Sequence, residues 1–325
     1  MRIVTGYPVE RRHLDQIAAA APGAEVIEAD QAHIRSEIIT ADVFCGHAKD
    51  EPVAWDEVVR RGRLKWIQSS AAGLDHCLTP EVIASDIQVT SASGLFADQV
   101  AEQAMALLLG LLRSLPVFFR AAQECRFRRR PTGDLHGATV GIIGFGGNGR
   151  RLAEVLTAFR TRILATDVFP IDCPSYVERL LPPESMPEVL AESDVVILCV
   201  PLNDTTMGMF DANTLARMKP GSILINVARG KVVVEHALVR ALDSQHLQGA
   251  GLDVTEIEPL PKSSRLWKMP QVIITPHVGA QSRHRYDDVT DFFCQNLARM
   301  QAGRPLLNLV DKQLGFPRRV ADVHP

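Results

Sequence analysis

Thr139-Val140-Gly141-Ile142-Ile143 runs straight into Gly144-Phe145-Gly146-Gly147-Asn148-Gly149, and Arg151 to Phe159 then reads as a helix. A short β-branched strand, a glycine turn and a helix, in that order, make the phosphate-binding corner of a βαβ unit. The first glycine of such a corner allows the tight turn, and the second lets backbone approach a pyrophosphate. The third lets helix and strand pack closely, while N–H groups at the helix start bind the phosphates. Asp167 ends the next strand, Arg162–Thr166, near the ~20-residue spacing at which a carboxylate meets the adenosine ribose hydroxyls. Its charge repels a 2′-phosphate, and Val168-Phe169-Pro170 brings no arginine, so NAD is expected rather than NADP.

Outward from that corner, short β-branched runs keep alternating with helical stretches, the pattern of an α/β protein with parallel sheets. Downstream, strands are expected at Val195–Val200, Ser222–Asn226, Ala250–Val254 and Val272–Thr275, with a helix from about Asp288 to Gln301. Upstream they fall at Arg2–Thr5, Val26–Glu28, Val43–Cys45, Lys65–Gln68 and Gln88–Thr90. Helical pieces near Glu10–Ala20, Ile34–Thr40 and Ala54–Arg61 separate them. A long helix from Ala97 to Leu115 is too densely apolar for a surface position and is expected between layers. Around Ser114–Pro131 the chain reads as an exposed arm, basic from Arg126 onward. A strand-rich domain lying inside the chain suggests that the two ends belong together.

At 325 residues the chain can hold two domains, and 46% hydrophobic against 22% charged residues is a globular composition. A net charge of -3 leaves no basic field for nucleic acid or for an anionic membrane. The apolar run Ala104–Leu112 is far shorter than the ~20 residues of a spanning helix, and Met1 to Asp15 has no apolar signal core. The 6 cysteines lie far apart without a CxxC pair, which argues against a zinc site or a disulfide framework. Reduced thiols in a cytoplasm fit best, and no metal is expected.

Ligands of a doubly wound sheet sit outside the carboxyl ends of its strands. Ser222–Asn226 is followed by Ala228-Arg229-Gly230, and Ala250–Val254 by Glu258; Val272–Thr275 is followed by Pro276-His277. An arginine, a carboxylate and a histidine thus converge on one sheet edge. Oxidising a 2-hydroxy acid means removing the hydroxyl proton as hydride leaves C2; histidine titrates in the right range, and a carboxylate beside it keeps it oriented. An arginine fork matches a planar carboxylate. Among the other histidines, His13, His33, His236 and His246 read as core or surface residues, and Cys199 reads as core.

Taken together, Leu135-His136-Gly137, the glycine corner, Val200-Pro201-Leu202, Met218-Lys219-Pro220-Gly221 and Asn226-Val227-Ala228-Arg229-Gly230 form one pattern. It continues through Gly251-Leu252-Asp253-Val254, Glu258-Pro259-Leu260-Pro261 and Thr275-Pro276-His277. The sequence resembles the D-isomer-specific 2-hydroxyacid dehydrogenase family, of the glyoxylate/hydroxypyruvate reductase and phosphoglycerate dehydrogenase type, over nearly its whole length. The resemblance implies an NAD-dependent oxidoreductase that interconverts a small 2-hydroxy acid and its 2-keto acid, such as glyoxylate or hydroxypyruvate. In that pattern Arg229 binds the substrate carboxylate, His277 is the acid/base and Glu258 its partner. Gly144, Gly146, Gly147, Asn148, Gly149, Asp167, Pro201 and Ala228 line the cofactor, and Asp253 holds the nicotinamide carboxamide. Ala71-Ala72-Gly73-Leu74-Asp75 matches the substrate loop, whose N–H groups hold the same carboxylate. Val100-Ala101-Glu102-Gln103 matches the opening of the interdomain helix.

The implied fold is α/β with two doubly wound parallel-sheet lobes, a Rossmann NAD-binding domain (99–287) inserted in a flavodoxin-like catalytic domain (1–98 and 288–325), assembled as a homodimer. Asn148 departs from the aliphatic residue usual in the family, and Val278-Gly279-Ala280-Gln281-Ser282 from the commoner Gly/Ser/Thr pattern. His47, Ala48 and Lys49 follow a strand end facing the cleft, where the substrate's distal end is expected. The phosphate-binding arginine of phosphoglycerate-type relatives is missing, and Lys49 reads as a solvated surface residue rather than an anion contact. Phe127 in the basic arm is a candidate to cover a neighbouring subunit's cleft. Two rivals share the fold. Formate dehydrogenase lacks an acidic partner for its histidine, which Glu258 opposes; an NAD(H)-sensing corepressor keeps the triad but usually carries a disordered tail.

Overall fold

A computed structural model describes residues 1–48 and 52–318. The chain divides into two compact units, Met1–Phe96 with the residues from Ser282 onward, and Ala97–Gln281. Both follow from strands that are apolar on each face: such strands are buried on both sides, run parallel and need helical cover. Lys49 lies outside the described residues.

The first unit holds β1 (Arg2–Gly6), β2 (Glu25–Glu28), β3 (Val43–Gly46), β4 (Trp66–Ser69) and β5 (Gln88–Thr90). They form one parallel sheet in the order β2-β1-β3-β4-β5, the flavodoxin-like arrangement. The helix Arg285–Gln301 returns the C-terminal chain to this unit through a buried polar chain. Trp66 Nε1 donates to Thr90 Oγ1 (2.8 Å), and Thr90 Oγ1 donates to Gln68 Oε1 (2.8 Å). Asn296 Nδ2 donates to the same Gln68 oxygen (3.0 Å), while Leu307 N–H donates to Asn296 Oδ1 (2.7 Å). The four side chains are buried, so each bond replaces water that cannot reach them.

In the second unit seven strands are parallel: β6 (Thr139–Ile143), β7 (Arg162–Thr166), β8 (Arg179–Leu181), β9 (Val195–Leu198), β10 (Ser222–Asn226), β11 (Leu247–Leu252) and β12 (Val272–Ile274). Their order, β12-β11-β10-β9-β6-β7-β8, reverses between β6 and β9, the switch point where doubly wound sheets bind ligands. The helix Ala97–Leu112 lies on the β10–β12 side, close enough that a Cβ on Gly251 would meet Leu107 Cβ at 2.9 Å.

Three elements differ from the sequence reading. The helix beginning at Ala97 stops at Leu112; Ser114 turns left-handed (φ 56°), and a second helix, Leu115–Gln123, starts at a 68° bend with Pro116 in its first turn. The segment read as an arm is therefore half helical, and the exposed connection runs from Glu124 to Pro131. The strand β11 begins at Leu247, earlier than its β-branched residues suggest, because Gly249 and Gly251 make room for the helix above. The edge strand β8 carries almost no β signal and is pinned by Arg179, paired with Glu188 and Glu192.

Replacing Asn296 with Leu strips Gln68 and the Leu307 N–H of buried partners, each worth about 1–3 kcal/mol. Chemical unfolding is expected to show a loss of about 2–4 kcal/mol, with dinucleotide affinity unchanged because the glycine corner lies in the other unit. A variant as stable as the parent contradicts the network's role.

Candidate active site

The glycine corner closes on the switch point. Gly144 has φ 95° and sits where a Cβ would meet Cys199 and the Val200 nitrogen, each at 2.8 Å. A Cβ on Gly149 would overlap the carbonyl oxygen of Gly144, so helix Gly147–Leu156 can approach β6 only with glycine there. Around Gly146 there is open space, as close approach of a phosphate requires. Gly147 and Asn148 begin the helix, and the Asn148 carboxamide has no partner among the described residues. Asp167, just past β7, accepts from Phe145 N–H (2.7 Å) and Phe169 N–H (2.9 Å) and so fixes the corner against the strand end. Carboxylates have about four acceptor positions, which leaves capacity for ribose hydroxyls. Pro201 follows β9, and its carbonyl is capped by Thr206 Oγ1 (2.7 Å). This cradle fits a dinucleotide.

Past β10, buried Asn226 clamps the next turn. Its Oδ1 accepts from Ala228 N–H (3.0 Å), and its Nδ2 donates to Arg229 O (3.0 Å). Gly230 then presses on the loop beyond β11, where any Cβ would overlap Thr255 O. That contact sets the Arg229 turn against the loop carrying Glu258. Thr255 N–H donates to Glu258 Oε1 (3.1 Å), and Glu258 Oε2 lies 2.8 Å from His277 Nδ1, from the loop beyond β12. Partial burial works against the Glu258 charge, but it is outweighed. The His277 hydrogen bond, the charge of that imidazole, the Thr255 N–H and the Arg229 guanidinium hold the carboxyl below its ordinary 4.5. With Nδ1 engaged, Nε2 of the half-exposed His277 has no partner among the described residues. Arg229, Glu258 and His277, separated by dozens of residues, are thus brought to one edge.

Asp253 is 2% exposed, and its carboxylate accepts from Thr275 Oγ1 (2.7 Å), Val278 N–H (3.0 Å) and Gly279 N–H (2.8 Å). Sequence reading missed Asn226, Thr255 and Gln103, whose partners are distant or backbone groups. The signals available were the strand-end position of Asn226, three residues ahead of the arginine, and the place of Asn226 and Gln103 in stretches that match the family pattern.

In the first unit, Ser69 Oγ donates to Ala71 O (2.9 Å) and accepts from Ala71 N–H (3.1 Å), which shapes the loop past β4. Among the described residues the N–H groups of Ala72 and Gly73 have no protein acceptor. His47 stacks on His76 with ring centroids 3.9 Å apart. Arg285 donates to Ser70 O (3.1 Å) and lies 4.4 Å over the Phe96 ring. In the second unit Cys199 packs partly buried against the core.

Residues 105–279 match the D-isomer specific 2-hydroxyacid dehydrogenase, NAD binding domain, family. The chain is 34% identical over 263 residues to glyoxylate reductase of Pyrococcus furiosus, covering 78% of this chain and 77% of that protein. It is 31% identical over 277 residues to D-3-phosphoglycerate dehydrogenase of Mycobacterium bovis, covering 84% of this chain and 48% of the relative. Among solved structures, it is similar to a D-isomer specific 2-hydroxyacid dehydrogenase of Xanthobacter autotrophicus in complex with NADPH and MES. That likeness has a TM-score of 0.80 and 29% identity, covering 97% and 99% of the two chains. An NADPH-dependent glyoxylate/hydroxypyruvate reductase of Sinorhizobium meliloti, in complex with NADP and sulfate, gives 0.80 and 28% over 97% and 99%. The chain belongs to the D-isomer-specific 2-hydroxyacid dehydrogenase family: it is an oxidoreductase acting on 2-hydroxy acids.

Two outcomes follow from this geometry. Gly230→Ala cannot keep the Arg229 turn beside Thr255, and kcat/KM is expected to fall at least a hundredfold; a fall under threefold contradicts the packing argument. Because the Glu258 carboxyl is lowered, its charge persists below the ordinary value and is lost only as pH falls through the lowered one. The acid limb belonging to Glu258 in a pH profile of kcat/KM is therefore expected below pH 4.5. A Glu258-dependent limb above that, absent in Glu258→Gln, contradicts it.

Proposed function

We propose that this chain reduces a small, unphosphorylated 2-keto acid of the glyoxylate or hydroxypyruvate kind with NADH, and that Arg229, Glu258 and His277 carry the reaction. The observation that supports it best is the 2.8 Å contact of His277 Nδ1 with Glu258, which leaves Nε2 on the open side. A nicotinamide dinucleotide bound in the glycine corner supplies the hydride. Protonated His277 gives the Nε2 proton to the C2 oxygen while its Nδ1–H stays on Glu258, which keeps the ring oriented. In the oxidative direction neutral Nε2 takes the hydroxyl proton. Arg229 holds the substrate carboxylate with its planar fork and polarises the C2 oxygen. In the other unit, the N–H groups of Ala72 and Gly73 offer a carboxylate the backbone donors it prefers.

The reading of the cofactor as NAD rests on Asp167. Its carboxylate is held at the strand end by two backbone N–H groups and repels a 2′-phosphate. The two solved relatives described above hold NADPH or NADP, so a direct comparison is informative. The expected preference in kcat/KM is at least ~10-fold for NADH, about 1.4 kcal/mol, and Asp167→Ser is expected to narrow it. Equal values in the parent enzyme contradict the ribose reading.

Substrate choice is tested by NADH oxidation with glyoxylate, hydroxypyruvate, pyruvate, phenylpyruvate, 2-ketopantoate and a phosphorylated keto acid. Higher kcat/KM for the phosphorylated compound than for glyoxylate and hydroxypyruvate contradicts the proposal. We further propose a homodimer through the Ala97–Gln281 unit, supported by the exposed apolar side chains of Leu115, Phe119 and Phe127, the last 94% exposed. Light scattering at micromolar concentration is expected to give twice the chain mass; a monomer contradicts it.

A further inference from the structure

His277 has a backbone φ of 54°, the left-handed region that non-glycine residues avoid. Its ring is engaged elsewhere, with Nδ1 on Glu258. The backbone is held instead by Asp253, whose carbonyl accepts the His277 N–H (2.7 Å) and whose carboxylate accepts the next two N–H groups, of Val278 (3.0 Å) and Gly279 (2.8 Å). The two N–H groups directly after His277, of Val278 and Gly279, therefore depend on where the Asp253 side chain sits. Its aim is fixed from the side by Thr275 Oγ1, which donates to Asp253 Oδ1 (2.7 Å).

A hydroxyl has one proton. Since Thr275 spends it on Asp253, the neighbour on its other side must donate. That neighbour is Gln103 Nε2, 2.7 Å from Thr275 Oγ1 and 3.4 Å from Asp253 Oδ1. A carboxamide nitrogen carries two protons and serves both acceptors. A carboxylate at this position would face Asp253 with like charge and give Thr275 a second acceptor it cannot satisfy. An aliphatic side chain would leave a nearly buried carboxylate with one donor fewer.

We infer that Gln103, on the helix Ala97–Leu112, is a positioning residue for the reaction: through Thr275 and Asp253 it holds the turn that keeps His277 in its left-handed conformation facing Glu258. The inference rests on the reading of His277 as the proton donor. It goes beyond that reading by adding a residue that touches neither substrate nor cofactor.

Gln103→Leu and Gln103→Glu, made in the full chain beside His277→Gln, test it. Gln103→Leu is expected to lower kcat for keto-acid reduction about tenfold to a hundredfold, with a smaller effect on the keto-acid KM. Gln103→Glu is expected to be equally poor at neutral pH and to recover as pH falls, because a protonated carboxyl again donates to Thr275 Oγ1. Its optimum therefore moves to lower pH than the parent's, which a purely structural role does not produce. Parent-like kcat in Gln103→Leu, at a pH where His277→Gln is inactive, overturns the inference and leaves the proton-donor reading standing. Full activity in His277→Gln overturns both. Should Gln103→Leu fail to fold or to bind NADH, the Gln103→Glu series decides: no recovery at low pH, with NADH binding intact, overturns the inference.

Discussion

The 2.8 Å contact between His277 Nδ1 and Glu258 Oε2 is the interaction on which the proposed chemistry depends. It joins loops that leave two adjacent parallel strands, β11 and β12, and it exists only because those loops are held from behind. Gly230 lets the turn beyond β10 press on Thr255; Thr255 N–H orients Glu258; Asp253 and Thr275 hold the backbone under His277. Proton transfer needs donor and acceptor within a few tenths of an ångström of the productive distance, so rigidity here comes from backbone packing and buried hydrogen bonds rather than from the ion pair alone. A half-exposed carboxylate and imidazole, left to themselves, would contribute little to holding the geometry.

The glycine corner shows the same logic at the other half of the sheet. Gly144 and Gly149 are glycines for steric reasons, one against the β9 loop and the other against the chain's own carbonyl. Asp167 then ties the corner to β7 before any ligand arrives. The glycine corner and the proposed proton donor, His277, therefore lie along the carboxyl ends of one continuous sheet. Parallel strands bring such distant segments of sequence side by side.

Much of this was legible beforehand because close approach and special dihedrals demand particular residues. Glycine spacing placed the corner, and strand-end positions singled out Arg229, Glu258 and His277. What escaped was set by tertiary neighbours. Gln103 looks like an ordinary polar residue on a helix, and only folding brings it to Asp253 and Thr275. Asn226 and Thr255 act mostly on backbone groups, which carry no sequence signature. The helix break at Ser114 was hidden because apolar residues continue on both sides of it. β8 was hidden because an edge strand three residues long, stabilised by Arg179 ion pairs, lacks the β-branched run that announces a strand.

The account's central claim is that hydride reaches C2 of a 2-keto acid while His277 protonates the neighbouring oxygen. It is tested most directly by reducing hydroxypyruvate with NADH carrying deuterium at both hydrogens of nicotinamide C4 and analysing the product by mass and on a chiral column. The account predicts one deuterium at C2 of a D-2-hydroxy acid. It also predicts that His277→Gln loses at least a hundredfold in product formed while binding NADH as the parent does. A product without deuterium at C2, an L-configured product, or an undiminished yield from His277→Gln contradicts it.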